Sequence, residues 1–319
     1  MSAAGTPEHL ALFEEERPRL LGLAYRLLGS LGDAEDVLQE AWIRWSRSDL
    51  DVVERPAAWL TTTVSRLGLD RLRARRRDRM EYVGPWLPEP IVAPITATGA
   101  SPSADPADAA ELADSLTTAF LVMLEQLSPE ERLVVLLADV FAEPFPAVAD
   151  LLGRSPDATR QLAVRARRKL AAASAASDPT DDEGPARIRT ARPPASEQLA
   201  VAAAFVDAVV RGDLDAAKSM LHPDTVLTSD GGPHRHAARR PVRGPDRVAR
   251  FLINIARRVP PSMTIEPVWV NGAPGLVHSL GGHPYMVSIL EVRDGLVHRQ
   301  YSVLNPDKLA AIGRQIELT

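Results

Sequence analysis

SPEERLVVLLADVFAEPFPAVADLLGRSPDATRQLAVRARRKL, residues 128–170, carries two helix starts separated by a glycine bend. Ser128 precedes Pro129 and has Glu131 three positions on, the spacing at which a serine hydroxyl and a glutamate side chain satisfy each other's main-chain amides at a helix N-terminus. FPAVADLL then runs to Gly153, and Ser155 with Pro156 behind it opens a second helix, giving helix, tight turn, helix. On that second helix Arg160, Gln161, Val164, Arg165 and Arg168 share a face, with Ala158, Leu162, Ala166 and Leu170 roughly opposite. Guanidinium and amide groups on a free helix face suit guanine and adenine edges in a DNA major groove, and Arg167 and Lys169 are placed for phosphates. The bland alternative is a solvated basic helix at a domain end. The capped start, the glycine turn and the one-sided polar face together favour a DNA reader over it.

Upstream, DAEDVLQEAWIRW (33–45) places Ala34, Val37, Leu38, Ala41, Trp42 and Trp45 on one stripe, while Asp33, Asp36, Gln39, Glu40 and Arg44 point elsewhere. Periodicity alone makes this an ordinary amphipathic helix with an acidic face. After SRSDLDVVE, Pro56 opens a long helix, RPAAWLTTTVSRLGLDRLRARRRDR, whose later half sets Arg66, Arg71, Arg73, Arg75, Arg76, Arg77 and Arg79 against only Asp70 and Asp78. Such a density suits phosphates. Trp59, Thr61, Thr62 and Thr63 precede the run and supply an aromatic face and hydroxyls of the kind that hold unpaired bases, although a lone tryptophan more often packs in a core.

The 319 residues suggest two or three domains, and the absence of cysteine excludes disulfides, thiolate metal sites and cysteine nucleophiles. Neither a leader pattern nor a membrane-length apolar run is present, so a soluble, cytoplasmic protein is expected. The net charge of −5 taken alone argues against nucleic acid, but only Lys169, Lys218 and Lys308 are lysines, so arginine is the default cation here and its clusters are discounted accordingly.

Residues 8–79 and 111–172 read as helical modules. Between them Pro85, Pro88, Pro90, Pro94, Pro102 and Pro106 exclude a helix, which makes 80–110 a first linker, and the charged, proline-bearing stretch 173–195 a second. From 196 to 319, helix-like EQLAVAAAFVDAVVRG and VARFLINIARRV share the chain with strand-like DTVLTSD, TIEPVWV, GLVHSL, YMVSILEV and LVHRQYSVL, so the fold class is multidomain, two all-α modules followed by an α+β domain.

The order of these modules resembles a known family. YRLLGSLGDAEDVLQEAWIRW with RPAAWLTTTVSRLGLDRLRARRR is similar to the sigma2 domain of extracytoplasmic-function sigma factors, and residues 128–170 are similar to their sigma4 domain. YVGPWLPEP (82–90) and NPDKL (305–309) resemble the sigma-J-like subgroup, which carries a C-terminal SnoaL-like domain of NTF2-like cone fold. The resemblance implies that Asp33, Asp36, Gln39 and Glu40 dock on the β′ clamp helices of core RNA polymerase. It implies that Trp59, Thr62, Arg66, Arg71, Arg73, Arg75 and Arg76, with the loop 46–55, serve the minus-10 element, and that Arg160, Gln161, Val164, Arg165, Arg167 and Arg168 serve the minus-35 element. It implies regulatory roles for Trp86, Leu87, Pro88, Glu89 and Pro90 and for Asn305, Pro306, Asp307, Lys308 and Leu309. Core polymerase and promoter DNA are the expected partners, with no membrane, no cofactor, no metal and no separate anti-sigma protein; a small ligand in the cone stays open. One departure is that SDGG continues as Pro233 and His234, where relatives commonly carry a glycine-rich stretch ending in lysine.

Promoter elements centred about 25 base pairs apart lie roughly 85 Å from one another at ~3.4 Å per step. Residues 80–111 reach about 100 Å at ~3.3 Å per residue, so a linker folded back onto the C-terminal domain would hold the two modules at the wrong separation. The competing reading is a DNA-binding regulator fused to a catalytic or ligand-binding domain. Asp230, His234, His236, His278, His283 and Asp294 could do acid–base chemistry there, but their spacing matches no catalytic or metal signature, and no enzyme is expected.

Overall fold

The computed structural model describes residues 5–78, 82, 84–95, 117–177 and 193–317, apart from the side chains of 76–78, 174–177, 311 and 313–317. Two compact units form: Met1–Glu81 with Met123–Ala173, and Tyr82–Val122 with Ser174–Thr319.

The first unit is helical. Helices α1 (Pro7–Leu28), α2 (Leu31–Trp45) and α3 (Pro56–Asp78) pack around Leu20, Leu23, Leu27, Val37, Leu38, Trp45, Leu60 and Val64. The sequence LLGS turns the first corner: Gly29 closes α1 in the left-handed region (φ 68°) and the Ser30 hydroxyl caps α2 through the Asp33 amide. Gly68 of α3 lets that helix approach α1, since a Cβ there would sit 2.6 Å from a Leu27 methyl carbon. Helix α4 (Thr118–Leu124) begins in the second unit and ends in the first, and it leads to α5 (Pro129–Val135), which starts at the expected Ser128–Glu131 reciprocal cap. This helix continues as a π-helical turn over Leu136–Val140, which nothing in the sequence announces. Helix α6 (Phe145–Leu152) ends at Gly153 (φ 63°), and α7 (Pro156–Ser177) follows, so the helix-turn-helix forms as expected.

The second unit is α+β. Its seven-stranded sheet runs β1 (Val92–Pro94), β4 (Met263–Val270), β5 (Ala273–Leu280), β6 (His283–Arg293), β7 (Leu296–Val303), β2 (Leu221–Asp230), β3 (Val242–Arg243), antiparallel except for the β2–β7 pair. Alternation divides its faces. Leu227, Leu290, Val292 and Val297 meet helices α8 (Ala195–Arg211), α9 (Leu214–Ser219) and α10 (Pro245–Ala256) through Phe205, Val248 and Ile253. Val268, Val270, Val277, Val287, Ile289, Tyr301 and Val303 form the other cluster, covered by Leu87 and by Leu309 and Ile312 of α11 (Pro306–Glu317). The proline-rich stretch read as a linker therefore supplies an edge strand, β1, and a fully buried core residue, Leu87, to the C-terminal sheet. Among the described residues no helix is long and apolar enough to cross a membrane.

Candidate functional site

Three surfaces carry the functional side chains. On the first, α2 presents Asp36, Gln39 and Glu40 to solvent, with Asp33 half-buried. Arg71 of α3 bonds both aspartates, at 2.8 Å from Asp33 and 2.6 Å from Asp36, and Arg75 also pairs with Asp33. Glu40 pairs with Arg44 one turn on. Arg73 bonds Glu130 at 2.7 Å, while Arg66 is exposed; the side chain of Arg76 lies outside the described residues. The arginine density of α3 is thus partly neutralised by the acidic helix beside it, which the linear count against Asp70 and Asp78 missed because the partners stand more than thirty positions away. Trp59 is half-buried against Trp45, ring centroids 5.3 Å apart, and Thr62 is half-buried too. Thr61 and Thr63 are buried, and the Thr61 hydroxyl donates to the Ala57 carbonyl, so the structure corrects the expectation of three hydroxyls offered beside the cationic run.

The second surface is α7. Arg160, Gln161, Val164, Arg165 and Arg168 are exposed, whereas Thr159, Leu162, Ala163, Ala166 and Leu170 are buried, as the helical period requires. Arg167 forms two bonds to Asp139, and the Lys169 ammonium lies 2.7 Å from Glu131, so both side chains assigned to phosphates are engaged within the unit. Burial raises the Glu131 carboxyl, but the Lys169 bond and the Ser128 amide more than offset it and the net shift is downward.

A junction between the two helical modules was not legible in the sequence. Arg132 is buried and donates to the Leu27 carbonyl of α1 at 2.9 Å and to Leu124 at 3.0 Å, with Glu125 at 2.7 Å. Burial and the neighbouring Arg75 lower its pKa to about 9, which leaves it cationic at neutral pH. Arg26, also buried, lies 5.6 Å from the Phe141 ring centroid, and Glu130 joins Arg73 to Arg154. Single arginines inside otherwise apolar runs, AYRLL and ERLVVLL, are the signal that could have found them.

The third surface gathers the 82–90 and 305–309 motifs around Asp230, the last residue of β2 and fully buried. Its carboxylate accepts from the Tyr82 hydroxyl (2.5 Å), the Leu87 amide (2.8 Å), the Gly232 amide (3.0 Å) and the Lys308 ammonium (2.6 Å). Lys308 also donates to the Leu87 carbonyl and lies 4.0 Å from the Trp86 ring centroid. Asn305 donates to the Tyr82 hydroxyl at 2.9 Å, and its side-chain oxygen accepts from the Asp307 amide at the start of α11. Gly232 (φ 57°) is required here, because a Cβ would come within 2.6 Å of the Asn305 amide group. Burial and the bond to Asp230 push the Tyr82 phenol up, keeping it the donor. Leu87, Pro88, Glu89, Pro90 and Leu309 are buried, Trp86 and Pro306 half-buried, Asp307 exposed. Farther along the linker, Ile91 exchanges bonds with Asn271, and the Ala119 amide donates to Glu291 at 2.9 Å. WLPEP and NPDKL, separated by more than 200 positions, therefore meet; Tyr82 and Asp230 complete the clasp and were not assigned to it from sequence.

The family comparisons agree with this layout. Sigma-70 region 2 matches residues 12–78, Sigma-70 region 4 matches 117–170 and the SnoaL-like domain matches 202–300. The ECF RNA polymerase sigma factor SigJ of Mycobacterium tuberculosis is 40% identical over 305 residues, which cover 93% of this chain and 91% of that one. This chain belongs to the extracytoplasmic-function sigma factors. A probable ECF sigma factor SigI from the same species is 30% identical over 303 residues, 94% of each chain. The crystal structure of Mycobacterium tuberculosis SigJ matches with a TM-score of 0.70 at 36% identity, over 94% of this chain and 98% of that one. As a sigma factor the chain directs core RNA polymerase to promoters for transcription initiation, with core polymerase and promoter DNA as partners, and it carries a fused SnoaL-like domain.

Proposed function

We propose that this sigma factor regulates itself: its SnoaL-like domain holds the first half of the sigma2–sigma4 linker and so governs how the two DNA-binding modules are arranged. The observation that carries this is the seating of Trp86–Pro90 by Asp230, Asn305 and Lys308. Residues fixed to the sheet from Tyr82 to Pro94 cannot also extend, and they shorten a linker whose full reach of about 100 Å only slightly exceeds the roughly 85 Å between promoter elements. Release of the strap and opening of the Arg132 junction would then accompany promoter engagement.

In this reading Asp33, Asp36, Gln39 and Glu40 dock on the β′ clamp helices, with Arg71 giving up part of its hold on the aspartates. Trp59, Thr62, Arg66, Arg71, Arg73, Arg75 and Arg76 serve the minus-10 element. Arg160, Gln161, Arg165 and Arg168 meet minus-35 base edges or phosphates, Val164 offers an apolar contact for a thymine methyl group, and Arg167 reaches a phosphate by leaving Asp139. The protein acts in the cytoplasm and needs no separate anti-sigma protein. The C-terminal domain regulates and does not catalyse: Asp230 is consumed by the clasp, and His278 meets Ser288 at 3.2 Å, with burial pushing its pKa down to about 4. His234, His236 and His283 are exposed. Among the described residues, none of these histidines hydrogen-bonds an aspartate of the candidate acid–base set.

Run-off transcription with core polymerase on the protein's own upstream region tests the proposal. Chains truncated before Ser196 or before Asn305, and Lys308→Ala, should each change transcript yield by several-fold; equal yield from all of them would refute self-regulation.

A further inference from the structure

The loop after β2 builds a pocket. Residues 231–243, GGPHRHAARRPVR, hold six basic side chains counting histidine, and no acid. Asp230, just before them, already balances Lys308. Among the described residues Arg235, Arg239, Arg240 and Arg243 form no ion pair with a carboxylate. The loop is closed on itself: the Arg235 amide donates to the Gly231 carbonyl at 3.1 Å, and Gly231 is packed so tightly that a Cβ would lie 2.3 Å from the Arg235 carbonyl oxygen. The Arg235 guanidinium lies 4.3 Å from the Tyr285 ring centroid, which orders a side chain that would otherwise be free. His234, Arg235, His236 and Arg239 line a concavity of about 110 Å³, which Gly84 and Pro85 of the linker also line.

We infer that this pocket binds a small phosphate-class oxyanion, either free phosphate or the phosphate group of a metabolite. Two guanidiniums and two imidazoles in one pocket lining supply planar donors of the kind that bind phosphate oxygens, and no carboxylate of the loop competes for them. A walled concavity of this size admits a small molecule and excludes a duplex. Because Gly84 and Pro85, the two residues directly before Trp86, line it, an occupied pocket braces the strap; that consequence rests on the self-regulation proposed above, whereas the site itself does not.

Calorimetric titration of the full chain with inorganic phosphate and with pyrophosphate, against sodium chloride at matched ionic strength, tests the site. One saturable site per chain is expected, with binding at least tenfold weaker in Arg235→Gln/Arg239→Gln and in His234→Gln/His236→Gln. It should be unchanged in Arg257→Gln/Arg258→Gln, which removes equal charge elsewhere. Preference for pyrophosphate over inorganic phosphate would point to a phosphate group carried on a metabolite as the natural source; preference for inorganic phosphate would point to the free ion. Absence of saturable binding by either anion, or equal weakening in the two arginine pairs, overturns the inference. The truncation experiment reads transcript yield alone, so either result can fail while the other stands.

Discussion

Arg132 and Lys308 are both cations drawn out of water, yet they are held by different things. Arg132 spends its donors on the main-chain carbonyls of Leu27 and Leu124, with Glu125 alongside, across the junction of two helical modules. Lys308 faces the fully buried carboxylate of Asp230 inside one folded sheet unit. When the helical junction parts, the guanidinium and the carbonyls regain water together, so the loss is modest. At the clasp, loss of one partner strands an opposite charge away from solvent. On the proposed reading the helical contact opens more readily than the clasp.

The sharpest way to break that contrast is Asp230→Ala. It strands Lys308 and leaves the Leu87 amide and Tyr82 hydroxyl without their acceptor, and it should cost about 3–5 kcal/mol in urea unfolding of the sheet unit. A cost under 1 kcal/mol would mean that the clasp is no stronger than a surface pair.

His278 separates clasp effects from the general stability of the same unit. Burial holds the folded imidazole neutral with a pKa lowered to about 4, while the unfolded imidazole titrates near its ordinary ~6.5. Its contribution is complete above pH ~6.5 and is lost as the pH falls toward 4, by up to about 3 kcal/mol. In His278→Asn that slope should vanish while the Asp230→Ala penalty persists; a slope retained in the variant assigns it to another group.

Arg132→Met should weaken the helical unit by about 1–3 kcal/mol and leave the unfolding of the sheet unit unchanged. A penalty exceeding that of Asp230→Ala would reverse the comparison. The smallest effect belongs to Glu130→Gln, which loses partly exposed bonds to Arg73 and Arg154 and should shift stability by less than about 1 kcal/mol. Burial raises the Glu130 carboxyl but those two arginines more than offset it, so its pKa is lowered; its support is present above the usual carboxylate range and is lost as pH falls below that range.

What could be read in advance follows the range of the interaction. The helix-turn-helix was legible because its signals are local: Ser128 with Glu131, Gly153 in the left-handed region, and a buried face every three to four residues on α7. The five strands of the α+β tail were legible from alternation, whereas the short β3 and the edge strand β1 were not, because two or three residues carry no period. The WLPEP and NPDKL motifs were legible through family resemblance, but their meeting point was not. Asp230 ends a strand and looks like a turn residue until Leu87 and Tyr82 arrive from 143 and 148 positions away. Among the described linker residues 84–95 no helix forms, as the prolines require, yet the same prolines concealed that Leu87 is core. The pairing of α3 arginines with α2 aspartates was invisible for the same reason, since a charge count along the chain does not see across a helix pair.

The absence of native cysteine allows a clean distance measurement between sigma2 and sigma4 in the intact chain. With spin labels on Asp51→Cys and Ala172→Cys, both exposed positions, the free protein should give one narrow, short-distance population. Core polymerase and promoter duplex should convert it to a much longer one, as modules serving elements roughly 85 Å apart require. A free chain that is already long and broadly distributed, or a short distance that survives promoter binding, would contradict the account.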